Sequence, residues 1–288
     1  MPARTVLAAI RDVHEIPSVL AYAARLAARL KAHLVAVHSE PAPQLYAAPD
    51  AIAAAEYYER MLAEARTRNE ALLAAGKQWT GRNDIACEWR AAVAAFGASA
   101  GIAIPSAFAA DLVVAGQSDP ARGDAGDTIL EQLLFETGRP VLFVPYAGPA
   151  KGAPKGDAVW PLPAKAIVAW NGTRESARAT FDALPLLALC KEVEVLIVDP
   201  RDSPEADAKA AGHEIAAALS RHGIAVSVFA APSGGAPTGE TIANRVTETG
   251  ADLLVMGAYG RSRWRELVFG GATRTLLASM TCPTLMAH

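Results

Sequence analysis

The chain predicts an α/β fold written twice, each copy a parallel sheet with helices on both faces. Two observations predict this. Short apolar runs alternate with longer segments of helical periodicity, and the order of those elements returns in the second half. One stretch repeats almost literally: Ala110-Asp111-Leu112-Val113-Val114-Ala115-Gly116 aligns with Ala251-Asp252-Leu253-Leu254-Val255-Met256-Gly257.

In the first half, Val6 to Ile10 reads as a buried strand. Ile16, Val19, Leu20, Ala23, Leu26, Ala27 and Leu30 then recur at helical spacing. His33 to His38 is a second strand, followed by a long helix from Ala51 to Ala75 that Gly76 is expected to end. Ile85 to Val93, Asp111 to Gly116 and Pro140 to Pro145 read as strands, with a helix over Thr128 to Thr137. In the second half, strands fall at Ala166–Trp170, Glu194–Val198, Ile224–Ala230, Asp252–Gly257 and Pro283–Ala287. Helices fall at Arg174–Leu189, Pro204–Arg221, Glu240–Thr249 and Ala272–Met280. The stretch 148–163 has the Gly, Pro, Ala and Lys content of a linker, so the expected domains are 1–147 and 164–288.

Bulk composition narrows the function classes. Hydrophobic residues make up 52% and charged residues 20% of 288, which is enough apolar material for two cores. A net charge of -3 gives no field that would gather nucleic acid or an anionic membrane. Cys87, Cys190 and Cys282 form no CxxC pair and read as buried free thiols. No apolar run is long enough to span a bilayer, and no signal-peptide core opens the chain, so a cytoplasmic location is expected.

In sheets of this kind ligands bind beyond the carboxyl ends of the strands, where strand order reverses. The residues after Trp170, Val198 and Gly257 are therefore the places to search. After Met256 comes Gly257-Ala258-Tyr259-Gly260, and later Gly270-Gly271-Ala272-Thr273 opens the last helix. Glycines let main-chain amides approach a ligand with no Cβ in the way. Free amides at a helix start, with the Thr273 hydroxyl, suit a phosphate. Arg261 or Arg263 would add charge-assisted bonds.

The run Met256 to Arg261, then Gly270 to Thr273, then Cys282-Pro283, resembles the closing signature of the universal stress protein family. The resemblance covers both halves in layout and the second half in motif. It implies two tandem domains, each a five-stranded parallel sheet of the Rossmann-like, adenine nucleotide alpha hydrolase-like kind. It implies ATP, with or without Mg²⁺, in the second domain, and picks out Ala169, Asn171, Thr173, Val198, Met256, Gly257, Gly260, Arg261, Gly270, Gly271 and Thr273. Trp170 is placed either to flank the adenine or to pack against a helix. The resemblance also implies that the last strands of the two halves pair as an internal pseudo-dimer, with a homodimer of chains left open. The expected role is stress response or signalling through nucleotide occupancy, with slow or no hydrolysis and no catalytic residue assigned. The alternatives are an interaction module without nucleotide, or a small-molecule site in the first half framed by the Ala51–Ala75 helix and Trp89.

Two positions depart from the family pattern. Asn171 stands where an Asp is usual, and Gly271 where Ser or Thr is usual. The first half departs further: Asp119 and Ile129 stand where glycines would be, and Asp119, Asp124 and Asp127 would repel phosphate. That half reads as a degenerate copy, in which Gly116→Asp is expected to leave nucleotide binding unchanged. Gly234, Gly239, Glu240 and Thr241 nearly spell a P-loop, but Glu240 replaces its lysine and reads as an acidic first-turn residue. No metal site is assigned.

Overall fold

The computed structural model describes residues 3–43, 51–94, 100–122, 127–149, 159–199, 208–258 and 271–288. They fall into two compact units. The N-terminal unit holds the described residues of 4–116 and 123–139, and the C-terminal unit those of 1–3, 117–122 and 140–288.

The N-terminal unit runs β1 (Thr5–Ala9), α1 (Ala21–Leu30), β2 (His33–Glu40), α2 (Ala51–Arg82), β3 (Glu88–Val93), α3 (Ala103–Phe108), β4 (Leu112–Gly116) and α4 (Asp127–Glu136). Its strands lie in the order β3-β2-β1-β4 and all pairs are parallel. Strands β1 and β4 are almost wholly apolar and buried, as expected of strands covered on both faces.

Three local features differ from the sequence expectation. A π-helical turn, Ile16–Leu20, precedes α1, with Pro17 in its first turn. Helix α2 does not stop at Gly76 but continues to Arg82. A Cβ at Gly76 would fall 2.1 Å from Cη2 of Trp89, so the glycine is there to seat the indole, not to end the helix. That packing outweighs a helix-propensity penalty of about 1 kcal/mol. The third feature is α3, a short helix with no clear signal in the sequence.

The C-terminal unit contains β5 (Val141–Val144), β6 (Lys165–Ala169), α5 (Arg174–Asp182), α6 (Leu184–Leu187), β7 (Glu192–Val198), α7 (Ala208–Arg221), β8 (Val226–Ala231), α8 (Thr238–Thr249), β9 (Leu253–Gly257), α9 (Gly271–Ala278) and β10 (Thr284–Ala287). Its strand order is β5-β10-β9-β6-β7-β8. The pairs from β10 to β8 are parallel, and β5 runs antiparallel to β10. The single helix expected over Arg174–Leu189 is two helices, α5 and α6. Pro185 has no N–H to donate to the carbonyl four residues back, which breaks the ladder there.

Strand order reverses between β6 and β9. The chain steps outward from β6 to β7 and β8, then returns to the other side of β6 as β9. The carboxyl ends of these two strands are thus the switch point at which doubly wound sheets hold ligands. Among the described residues, no helix is long and apolar enough to cross a membrane.

Candidate functional site

Pairing carries the β6 chain one residue beyond the strand, where the Trp170 amide donates to the Leu196 carbonyl at 2.8 Å. The backbone then turns through Asn171-Gly172-Thr173. Asn171 Oδ1 accepts from the Thr173 amide at 3.2 Å and from its hydroxyl at 2.9 Å, closing an Asx turn. Gly172 has φ 75, a conformation that glycine adopts without strain. Thr173 is the N-cap of α5, its hydroxyl accepting from the Ser176 amide and its carbonyl accepting from the Ser176 hydroxyl.

These bonds revise two candidate roles. The Thr173 hydroxyl is engaged in capping α5 and turning the chain, so its first role is structural. The Asn171 side-chain oxygen accepts twice within the turn, which gives this residue a structural role as well.

Gly257 ends β9, level with the residue after Ala169, whose partner is Met256. A Cβ there would lie 2.5 Å from the Ser176 amide nitrogen and 2.6 Å from the Glu175 carbonyl carbon. Gly257 therefore lets α5 sit directly on the end of β9. The missing side chain of Gly257 is thus used in helix packing. The next amide, Ala258 N–H, is also engaged, donating to the Ala287 carbonyl at 2.9 Å. Glu175 is buried and paired with Arg174. Burial opposes ionisation of its carboxyl. Bonds from the Arg174 guanidinium, its own amide and Thr173 outweigh burial and hold it below the usual range.

Ala169 and Trp170 are half-buried and Met256 is buried. The Trp170 indole nitrogen is buried with no hydrogen-bond partner. Buried polar atoms are nearly always paired, and the same state is found at the Trp89 indole nitrogen and the Ser39 and Ser118 hydroxyls. Val198 is half-buried at the end of β7. Gly271 opens α9, and Thr273 lies buried in its first turn. Gly260, Arg261, Arg263 and Gly270 lie outside the described residues.

Two residues not picked out by the sequence reading stand at strand ends. Asp199, following Val198, has φ 49 and accepts the Ser233 amide on Oδ1 at 2.7 Å. Gln117 occupies the place in the first repeat that Ala258 holds in the second. Its amide donates to the Val144 carbonyl at 2.8 Å, as that of Ala258 does to Ala287. Its buried side chain donates to the Leu277 carbonyl at 2.6 Å and accepts the Tyr146 amide at 3.3 Å. Leu277 O is one of the carbonyls that the end of α9 leaves without a helical partner.

The equivalent place in the N-terminal unit, after β1 and β4, is filled from within. Glu15 accepts from the Arg11 amide at 2.6 Å, from Nε at 2.9 Å and from Nη2 at 2.5 Å. Arg11 Nη2 also donates to the Gly116 carbonyl at 3.2 Å. A Cβ on Gly116 would fall 2.4 Å from Glu15 Oε1. A side chain on Gly116 would therefore press on the Glu15 carboxylate beside Arg11. Burial pushes the Glu15 carboxyl up, more than pairing with Arg11 pulls it down. Of the three aspartates, Asp119 accepts the Ala121 amide in a turn, Asp127 begins α4, and Asp124 lies outside the described residues. Near β2, buried His38 binds the Ile10 carbonyl at 2.8 Å through Nδ1 and faces Glu40 at 3.3 Å, which Arg68 also holds. Among the described residues, no group of three or more His, Cys, Asp or Glu could hold a metal.

Other expectations resolve plainly. Glu240 stands in the first turn of α8, as an acidic residue there should. The three cysteines are free, but only Cys282 is buried as expected; Cys87 and Cys190 are half-buried. Burial pushes the Cys87 thiol up to about 11 and the Cys190 and Cys282 thiols up to about 12.

Strand order and switch point together define a doubly wound α/β arrangement in the C-terminal unit. Residues 165–288 match the model of the Universal stress protein family. A universal stress protein structure from Archaeoglobus fulgidus DSM 4304 is similar over 98% of this chain and 95% of its own, with 16% identity and a TM-score of 0.60. A functionally unknown protein from Pseudomonas aeruginosa PAO1 is similar over 99% of this chain and 92% of its own, with 14% identity and a TM-score of 0.53. At these identities the likeness is one of fold, and it extends over both halves. No curated protein sequence matches the chain.

Proposed function

We propose that the C-terminal unit binds an adenine nucleotide, ATP, at the switch point between β6 and β9. The protein then acts in stress response or signalling through occupancy, with slow or no hydrolysis. The observation that carries the reading is the unpaired, buried Trp170 indole N–H at this strand end. The Asn171-Gly172-Thr173 turn that follows β6 and the start of α9 at Gly271 supply the further groups of this reading. The phosphates lie against the Gly260–Gly271 stretch, where Arg261 and Arg263 add positive charge, and the adenine lies near Ala169, Val198 and Met256.

The test is calorimetric titration of ATP into the wild-type protein and Gly270→Asp, which sets a carboxylate in the phosphate path. Binding by the wild type and its loss in a folded Gly270→Asp supports the reading. Equal affinity in both proteins contradicts it.

A second reading has its own support. Gly257 and Thr173 are both explained by the packing and capping of α5. If those needs alone account for the motif, the domain is an interaction module with the same fold and no nucleotide. Absence of heat in the wild-type titration favours that reading.

A further inference from the structure

We propose that Arg174 binds the phosphates of the nucleotide, its guanidinium reaching the ligand from the start of α5. The inference rests on the nucleotide reading above and adds the cation that the β6 side of the switch point supplies.

Placement is the first ground. Arg174 opens α5, directly after the Asn171-Gly172-Thr173 turn that follows β6. Its Nε donates to Glu175 Oε1. Glu175 is seated at the end of β9, because its Cβ lies 2.9 Å from where a Cβ on Gly257 would stand. The arginine is thus tied to a side chain that starts against one strand of the switch point, while its own backbone follows the other. Adjacent residues on a helix do not face each other. Arg174 reaches Glu175 only by folding across the helix start, which keeps its guanidinium at the carboxyl edge of the sheet.

Availability is the second ground. A guanidinium carries five N–H donors in a planar fork that suits phosphate. Only Nε is used here: among the described residues, Nη1 and Nη2 of Arg174 make no bond. The Arg174 side chain is 84% exposed and that of Glu175 only 7%. The pair is therefore fixed at its acidic end and open at its basic end. Burial opposes ionisation of Glu175, yet bonds from Arg174, its own amide and Thr173 hold its carboxyl below the usual range. The anchor is charged at neutral pH, and the two free amino groups are the edge that takes an anion in paired bonds.

Charge is the third ground. The start of a helix carries partial positive charge, which favours Glu175 in the first turn and disfavours Arg174. The fold of α5 has no need of this cation. Thr173 caps the helix, and Glu175, Ser176, Ala179 and Thr180 are its buried residues. A bound phosphate reverses the balance, because helix start and guanidinium then act on it together. No other cation lies in the turn: from Trp170 to Ser176 the charged residues are Arg174 and Glu175.

The experiment titrates ATP into the wild type, Arg174→Gln and Arg174→Lys at about 0.05 M and 0.5 M NaCl, a range over which screening of an exposed charge grows several-fold. The glutamine amide can still donate to Glu175, and urea denaturation checks that both variants are folded. Arg174→Gln should bind ATP roughly tenfold more weakly than the wild type at low salt, as loss of a charged hydrogen bond would give. The gap should narrow at high salt, and Arg174→Lys, which keeps the charge, should recover part of the loss. A structural role alone would leave the gap independent of salt. Equal affinity of Arg174→Gln and wild type at low salt, a gap undiminished at high salt, or a lysine no better than glutamine overturns the role of Arg174 and leaves the site reading standing. A wild type that binds no ATP at either salt overturns the site reading and this inference with it.

Discussion

The amide nitrogen of Ser176 lies 2.5 Å from the place where a side chain on Gly257 would begin. The start of α5 therefore rests on the end of β9 with no room for a methyl group. That contact fixes the two walls of the switch point relative to each other, and it makes Gly257 a packing residue before it is a binding one.

Gly257→Ala should lower stability by about 1–3 kcal/mol, the usual range for overpacking a close contact. The obstacle is backbone, which cannot rotate aside. Urea denaturation of the variant would show this as a lower midpoint with an unchanged slope. An unchanged midpoint would mean that α5 moves freely, and the packing account would be wrong.

The Arg11–Glu15 pair makes a prediction about pH. Burial raises the folded-state affinity of Glu15 for its proton above the ordinary value of 4.5. Its contribution to stability is then fully present below about that pH and declines as pH rises through the folded value. Glu15→Gln has no such titration. The stability of Glu15→Gln relative to the wild type should therefore improve between pH 4 and pH 8. A change in the opposite direction would show that pairing with Arg11 outweighs burial.

Gln117 clasps the end of α9 in the C-terminal unit. Gln117→Ala leaves the Leu277 carbonyl and the Tyr146 amide without this partner and should cost about 1–3 kcal/mol. Hydrogen exchange should quicken in α9 more than in α8. Uniform protection across both helices would show that the clasp is dispensable.

Cys282 is buried and its thiol is pushed up to about 12. The thiolate is the reactive form. In native protein at pH 8, Cys282 should resist a thiol reagent and react only after denaturant is added. Rapid native labelling at Cys282, read by mass spectrometry, would contradict the burial described here.

Much of the architecture was legible from periodicity, because buried parallel strands read as apolar runs and their order repeats. The departures have specific causes. Gly76 looks like a helix stop until Trp89 is seen lying on it. Pro185 sits in an otherwise helical pattern and breaks it. Within the site, Asn171 and Gly257 were legible as special, but their internal engagements were not. The sequence does not show that the Asn171 oxygen is used twice or that α5 presses on Gly257. The left-handed turn at Asp199 was missed because a positive φ leaves no mark on an aspartate. Gln117 was missed because its partner Leu277 is 160 positions away.

The most direct test watches the indole N–H of Trp170, assigned by its disappearance in Trp170→Phe, in a nitrogen–proton correlation spectrum during ATP titration. The account predicts that this resonance shifts and saturates with the nucleotide. A Trp170 signal that stays in place through saturating ATP contradicts a ligand at the switch point between β6 and β9.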